Sequence, residues 1–498
     1  LVLRLLSIKL IQKIGSSDEA APNLFLMLPT SIKRMIGGIR VKLILLSGGS
    51  GSRLWPLSND ARSKQFLKVL ENENQQFISM VQQVWGQLMQ SNLSKDSYIA
   101  TSQAQVEMMQ SQVGPEVRLI IEPERRDTFP AIALAAAYLY SMEGISLNET
   151  IAILPVDPYV ENHFFDTIKS LEAIIHHSEA DLALIGVEPN YPSSKYGYII
   201  PETGTHGSKQ PYKRVSSFRE KPSEAQAAEL LTKQALWNCG VFAFKLGYLI
   251  SLLEQLNLPI QYEELNKQYQ VMPKISFDYQ VVERAENIVV VPYSGYWKDL
   301  GTWNTLTEEM RNKQIGQGTI SEDCINTHLI NEIDVPVSII GLSDVVVAAS
   351  PDGILVSSKS ASTRIKDYIK YNQAPKFEER KWGWVKILDD QVYEDNRCVT
   401  TKRVGIRAEE NLSYRMHTYR DEVWTIVKGE GEFIQNGNYM KVKAGNILHI
   451  PTKTLHTLRA NSDIEMIVVQ SGIRSEENSL VELYHTWREI SEICTKAL

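Results

Sequence analysis

Val41-Lys-Leu-Ile-Leu-Leu46, followed without a break by Ser47-Gly-Gly-Ser-Gly-Ser-Arg-Leu-Trp-Pro56, is the stretch on which the fold turns. The first six residues form an apolar, partly β-branched run of the length of a buried parallel strand. A glycine-rich turn comes directly after it. Further short apolar runs stand at Leu119-Ile-Ile121, Ile151-Ala-Ile-Leu154 and Leu182-Ala-Leu-Ile-Gly186, with helix-like stretches between them at Ala131 to Tyr140 and Phe165 to His176. Strands alternating with helices predict a doubly wound, Rossmann-like α/β domain over residues 41–317.

Working outward, residues 318–375 lose the helical spacing, and short β-type runs take over: Val335-Pro-Val-Ser-Ile-Ile340, Val345-Val-Val-Ala-Ala349 and Ile354-Leu-Val356. They predict a small all-β linking module, ending in a polar helix at Ile365 to Lys370 and a linker at Ala374-Pro-Lys376. Residues 380–475 alternate polar and apolar, with turns at Gly429-Glu-Gly431, Asn436-Gly437 and Ala444-Gly445, the pattern of a jelly-roll barrel, and within them Arg415 to Gly429 and Gly445 to His456 resemble the first and second cupin motifs. Residues 476–498 form a C-terminal tail. At the other end, residues 1–40 differ in composition from the rest of the chain and are expected to be an extension outside the fold. Translation is expected to start at Val41 from a GUG codon, with Gly37-Gly38 read from a purine-rich ribosome-binding sequence.

The 498 residues are ample for about three domains at roughly 100 to 200 residues each. Lys and Arg number 52 against 59 Asp and Glu, a formal net charge of -7. Such a chain has no general field for polyanionic nucleic acid, though a local basic pocket can still take a small anion. The apolar N-terminal stretch is cut by Arg4, Lys9 and Lys13, so no run reaches the roughly 18 residues needed to span a bilayer. Cys239, Cys324, Cys398 and Cys494 lie far apart with no CxxC pair, which points to a reducing cytoplasm rather than to a disulfide framework or zinc ribbon.

The chemistry starts in the same turn. Gly48, Gly49 and Gly51 let backbone N–H groups come close to phosphate oxygens, and Arg53 with Lys64, in Ser63-Lys-Gln-Phe66, adds positive charge there. Glycines alone would be read as a structural turn; the two cations after a buried strand change that reading. The pattern is neither GxxxxGK[ST] nor GxGxxG. Leu154-Pro-Val-Asp157 ends a strand with a carboxylate at the sheet edge where open α/β folds bind ligands.

These segments resemble the signature of the sugar-1-phosphate nucleotidylyltransferases, GGxGxRLxPL followed by PKQF. Leu-Trp-Pro-Leu-Ser and Lys-Gln-Phe-Leu narrow the resemblance to the mannose-1-phosphate guanylyltransferases, in a long form whose C-terminal barrel is similar to type II mannose-6-phosphate isomerase. It extends from Val41 to about Gly472. The resemblance implies that Gly48, Gly49, Gly51, Arg53, Lys64 and Arg126 bind the nucleotide, and that Gly197, Glu220, Lys221, Asn238 and Gly240 bind the sugar phosphate. Asp157 and Asp299 would hold Mg²⁺, while Arg53, Lys64 and Lys221 carry the catalytic charge. The implied reaction is attack of mannose 1-phosphate on the α-phosphate of GTP, giving GDP-mannose and diphosphate. The chain departs from the family pattern in several places: Ser63 for proline, Asp127 for asparagine, Phe129 for alanine, Pro158 for histidine and Cys239 for serine. Asp127 and Phe129 are expected beside the nucleotide.

In the barrel the resemblance implies a divalent ion, Zn²⁺ or Co²⁺, on a segment that usually reads QxHxxRxE. Here Arg415-Met-His417-Thr-Tyr-Arg420-Asp-Glu422 puts arginine in the glutamine position, and Ser471-Gly-Ile-Arg-Ser-Glu-Glu477 replaces a GEDDI-like stretch. A degenerate metal site of His417, Glu422 and His456 is expected, with Arg415 turned outward if three ligands remain in use. Mannose-6-phosphate isomerase activity, another sugar or base preference, and a non-catalytic nucleotide-sugar sensor are the alternatives. Expected partners are GTP and mannose 1-phosphate, with neither nucleic acid nor membrane, and a homodimer is compatible with the sequence.

Overall fold

The structure is a computed structural model that describes residues 41–49, 52–59, 62–202, 210–369, 375–473 and 480–495. The extension 1–40, the expected start region around Gly37-Gly38, Gly51, Lys370, Ala374 and residues 474–477 lie outside the described residues.

The decisive run is a strand, β1 (Lys42–Ser47), with Leu43 and Leu45 in one hydrophobic core and Ile44 in another. Successive side chains leave a strand on opposite faces, so a strand covered on both sides must be apolar at each position. The chain continues through α1 (Met80–Gln90), β2 (Ser97–Ser102), α2 (Val106–Val113), β3 (Leu119–Glu122), α3 (Thr128–Ser141), β4 (Thr150–Pro155), β5 (Pro158–Val160) and α4 (Phe164–Ser178). Then come β6 (Leu182–Val187), β7 (Tyr198–Pro201), β8 (Lys213–Arg219), β9 (Leu236–Lys245), β10 (Ile288–Tyr293) and β11 (Trp297–Asp299). Nine of these strands make one sheet in the order β3-β2-β1-β4-β9-β6-β10-β8-β7.

The run β3-β2-β1-β4 is parallel, as the alternation of strands and helices predicts. Beyond it β9 lies antiparallel between β4 and β6, so the sheet is mixed. Strand direction leaves no mark on composition when both faces are buried, which is why the sequence does not announce this inversion. Helix α3 begins one turn earlier than its apolar run, because the Asp127 carboxylate accepts a hydrogen bond from the Thr128 N–H at 2.8 Å.

In the linking module, strands Gln314–Ile315, His328–Asn331, Val345–Ser350 and Gly353–Ser358 form a four-stranded sheet. The C-terminal region is two facing sheets of six and five strands around a core that includes Trp424, Phe433 and Leu458. Asn436 and Gly437, both at positive φ (48° and 79°), join strands Glu430–Gln435 and Asn438–Lys443, as a tight two-residue hairpin turn requires. Strand Leu480–Tyr484 pairs with Tyr414–His417, and helix Trp487–Thr495 packs behind it on Tyr414 and Ile434. Among the described residues no helix is long and apolar enough to cross a membrane, and all four cysteines are free.

Candidate functional site

A cleft of about 630 Å³ opens at the C-terminal ends of β1, β3 and β4. Its lining includes Gly48, Gly49, Arg126, Asp157, Gly197, Glu220, Asn238 and Gly240 from the sequence-predicted set. Gly49 has φ of +122°, a conformation that side-chain-bearing residues rarely adopt. The Ser63 hydroxyl donates to the Gly49 carbonyl at 2.9 Å. Ser63 therefore ties the lysine-bearing loop to the glycine turn by a hydrogen bond where a proline would have stiffened the backbone.

The two aspartates are far apart in sequence and meet through a two-stranded ribbon. β5 begins immediately after Asp157 and pairs antiparallel with β11, in the register Asp299 to Pro158. Both carboxylates reach the Lys64 ammonium, Asp157 Oδ2 at 2.8 Å and Asp299 Oδ1 at 3.1 Å. Burial works to lower the Lys64 pKa, but the two carboxylates outweigh it and raise it above the ordinary value. A Cβ on Gly301 would stand 2.7 Å from Asp299 Oδ2, so glycine at the ribbon's exit leaves that carboxylate free to sit where it does. Two carboxylates already arranged around one cation are a donor set that suits Mg²⁺, which takes one or two carboxylates and fills its remaining positions with phosphate and water.

At the other end of the cleft the Asn238 amide donates to Asp278 Oδ1 at 2.6 Å, its carbonyl oxygen accepts from the Gly240 N–H at 3.0 Å, and its backbone N–H donates to the Gly197 carbonyl at 2.8 Å. Gly197 leaves room for Glu220, since a Cβ there would lie 2.4 Å from Glu220 Oε2. That oxygen is buried without a hydrogen-bond partner, and the other is held by the Lys221 ammonium. Burial, with the Glu220 charge beside it, pushes the Asp278 pKa up to about 6.

Some expectations are corrected. Phe129 does not lie beside the nucleotide site: it is fully buried in the core with Ile44 and Tyr98. Asp127 lines the cleft but acts as a helix cap. Arg53 is solvent-exposed in the short turn Ser52–Leu54 and does not line the cleft, and Lys221 is likewise exposed, tethered to Glu220. The sequence reading overlooked Arg125, Lys195 and Lys274, which give the cleft much of its positive charge, and assigned no role to Asp278. Lys195 could have been found from its place directly before Tyr196-Gly-Tyr198; nothing local distinguishes Lys274.

In the barrel, His417 and His456 converge on Glu422, Nε2 to Oε1 at 3.1 Å and Nε2 to Oε2 at 3.2 Å. The Trp424 indole N–H donates to Glu422 Oε2 at 3.1 Å, and the Gln470 amide nitrogen contacts Glu422 Oε1 and lies 3.2 Å from His417 Nε2. The carboxylate oxygens are thus already engaged, and among the described residues no group of three or more His, Cys, Asp or Glu is arranged to hold a metal ion. Arg415 does not turn outward: it lines the same cavity of about 410 Å³ as His417, Glu422 and Gln470. His456 Nε2 is buried without a hydrogen-bond partner, as a ligand atom would be, but a guanidinium in the chamber and a carboxylate already hydrogen-bonded do not fit the expected divalent ion.

Residues 42–314 match a family model described as Nucleotidyl transferase, and residues 372–485 match one described as Mannose-6-phosphate isomerase C-terminal. The chain is 27% identical over 476 residues to the xanthan biosynthesis protein XanB of Xanthomonas campestris pv. campestris (strain B100), covering 89% of this chain and 98% of that protein. It is 26% identical to the mannose-1-phosphate guanylyltransferase RfbM of Salmonella typhimurium, covering 88% and 96%. Among solved structures, one named mannose-1-phosphate geranyltransferase, from Thermus thermophilus, is similar at a TM-score of 0.56 and 28% identity, covering 66% of this chain and 98% of that one.

Proposed function

The chain belongs to the nucleotidyl transferase family, and on that premise we propose that it is a mannose-1-phosphate guanylyltransferase, joining GTP and α-D-mannose 1-phosphate into GDP-mannose and releasing diphosphate. The observation that carries this reading is the convergence of Asp157 and Asp299 on Lys64, beside a cleft with the glycine turn at one end and a hydroxyl-binding cluster at the other. The choice of mannose and guanine is supported by the names of relatives that align over most of the chain.

In this reading a phosphate oxygen of mannose 1-phosphate forms a bond to the α-phosphorus of GTP while the bond to the β-phosphate oxygen breaks on the opposite side. Two polyanions must be brought together, so the work is neutralising charge and aligning the attack. Backbone N–H groups at Gly48 and Gly49 cradle the triphosphate, and Lys64 moves its charge from the two aspartates to the phosphates. Arg53 and Lys221, both exposed, approach the nucleotide and the sugar phosphate from the solvent side. Glu220, Asn238 and Asp278 orient the sugar hydroxyls, while Arg125, Arg126, Lys195 and Lys274 hold the cleft positive. Asp157 and Asp299 would hold Mg²⁺, which when bound supplies further charge neutralisation at the phosphates. No side chain needs to form a covalent intermediate.

Diphosphate release, measured with Mg²⁺ while crossing GTP, ATP, UTP and dTTP against mannose 1-phosphate and glucose 1-phosphate, tests the reading. Release with GTP and mannose 1-phosphate alone is the expected outcome. A different preferred pair would move the specificity and keep the chemistry, and no release with any pair would overturn both.

A further inference from the structure

The cavity of the C-terminal barrel poses an electrostatic problem that its geometry answers. Glu422 sits at its base with 2% of its side chain exposed, and a buried carboxylate must be neutralised or hydrogen-bonded. Where a divalent ion does this, ligand atoms are left open toward a common point. Here one carboxylate oxygen accepts from the Trp424 indole and the other meets Gln470 and His417, while His456 Nε2 stands 3.2 Å away without a hydrogen-bond partner. Two basic side chains also share the cavity with that carboxylate. Arg415 lines the cavity, lies within the electrostatic reach of Glu422 and Glu482, and keeps its Nε buried without a hydrogen-bond partner. Lys402, on strand Arg397–Ile406 of the six-stranded sheet, lines the same cavity, and burial lowers its pKa against the pull of Glu422.

We propose that Arg415, with Lys402, takes the place of a divalent ion opposite Glu422, so that this barrel is metal-free and Arg415 is the residue that keeps it so. An arginine cannot give up its proton in a protein and has no lone pair to offer a metal. Its charge is therefore fixed in the chamber. A Zn²⁺ or Co²⁺ ion brought to His417 and His456 would meet the Arg415 charge in the same cavity and would have to displace the Gln470 contact from Glu422 as well. Arg415 then brings to the cavity the positive charge that an ion would otherwise supply beside Glu422, with Lys402 adding to it.

The test is metal content. The full-length chain and Arg415→Gln are incubated with Zn²⁺ or Co²⁺, desalted and analysed for bound metal by mass spectrometry, and Co²⁺ binding is followed by its visible absorption. Because Asp157 and Asp299 can also retain an ion, each protein is paired with the same chain carrying His456→Ala, and the difference is read. The expected result is no difference for the parent chain and an excess of about one ion per chain for Arg415→Gln, since an amide oxygen in place of the guanidinium restores a ligand and removes a repelling charge. A parent chain that holds one ion lost on His456→Ala would overturn the proposal. So would Arg415→Gln binding no more than its His456→Ala partner, because the exclusion would then not be due to Arg415. If Arg415→Gln does not fold, the parent pair alone decides, together with a melting temperature of the parent barrel that neither EDTA nor Zn²⁺ shifts.

Discussion

Lys64, held beside the cleft by Asp157, and Asp278, in its far end, are two partly buried groups, and each makes a measurable demand on the protein. Lys64 is the cation between Asp157 and Asp299, so Lys64→Met leaves two carboxylates facing each other without compensation. Breaking such a pair costs about 2 kcal/mol or more where the groups are partly buried. Lys64→Met is expected to melt several degrees below the parent in EDTA and to recover most of that on addition of Mg²⁺, with turnover down by about 100-fold or more in either case; a melt indifferent to Mg²⁺ would count against the two aspartates as its ligands. Asp278 works in the other direction. Its pKa is raised to about 6 by burial and by Glu220, so between the ordinary carboxylate range and pH 6 the folded chain binds more protons than the unfolded one. Stability contributed by the protonated form is present at low pH and is lost as pH rises through about 6. Asp278→Asn keeps an acceptor for the Asn238 amide and removes the charge. It should raise the melting temperature relative to the parent at pH 8 and lose that advantage by pH 4, while weakening sugar-phosphate binding at both.

At the scale of elements, the site is made by a ribbon and a turn, and they differ in how legible they are. The turn is local: glycines after a buried strand, with Arg53 and Lys64 close behind, disclose both the strand and its ligand chemistry in one reading of Val41 to Phe66. Asp157 is legible for the same reason, as a carboxylate at a strand end. The ribbon of β5 and β11 is not, because it depends on a register, Asp299 to Pro158, between segments that share no local signal; the resemblance to a family supplied Asp299, not the spacing. Lys274 and the inversion of β9 were missed because neither leaves a pattern over a few residues. Phe129 was misplaced since one turn of helix decides whether a side chain faces the cleft or the core, and the Asp127 cap starts that helix early. The ribbon's geometry can be tested at its exit. In Gly301→Ala the new Cβ would lie 2.7 Å from Asp299 Oδ2, pushing the carboxylate away from Lys64. The expected outcome is a fall in kcat of about 10-fold or more, the consequence of a small misplacement in an aligned site, with the melting temperature nearly unchanged; unaltered kcat would remove Asp299 from the reacting centre.

Across the whole molecule, the later modules hold the glycine turn and the Lys64 loop from behind. Gly353 of the linking module lies against the Trp55 ring, where a Cβ would come within 2.4 Å, and the Ser350 hydroxyl donates to the Pro56 carbonyl at 2.7 Å. Two residues before Lys64, the buried Arg62 makes a two-pronged ion pair with Glu332 of the linking module at 2.8 and 2.9 Å and faces the Phe377 ring of the barrel. Glu379, on the barrel's first strand and 11% exposed, gathers Lys68 at 3.3 Å from the lysine-bearing loop, Arg407 at 3.2 Å from the barrel, and the Ser111 hydroxyl of α2 at 3.4 Å. One carboxylate therefore joins the lysine-bearing loop, a helix beside it and the barrel. This gives the barrel a physical role in fixing the loop that carries Lys64, whatever its cavity holds. Removing the carboxylate in Glu379→Ala leaves Lys68 and Arg407 half-exposed, so water takes up part of the loss and the net cost is about 1 kcal/mol. That is small against the stability of either domain and large against a polar seam, so the coupling between domains should weaken before the domains do. Scanning calorimetry is expected to show the parent's barrel and α/β domain unfolding closer together than those of Glu379→Ala, whose barrel should melt first, and 0.5 M NaCl should shrink the difference by screening the parent's seam. Identical calorimetric profiles for the two proteins at low salt would mean that the barrel is held by its apolar contacts alone, and that Glu379 does not couple it to the loop.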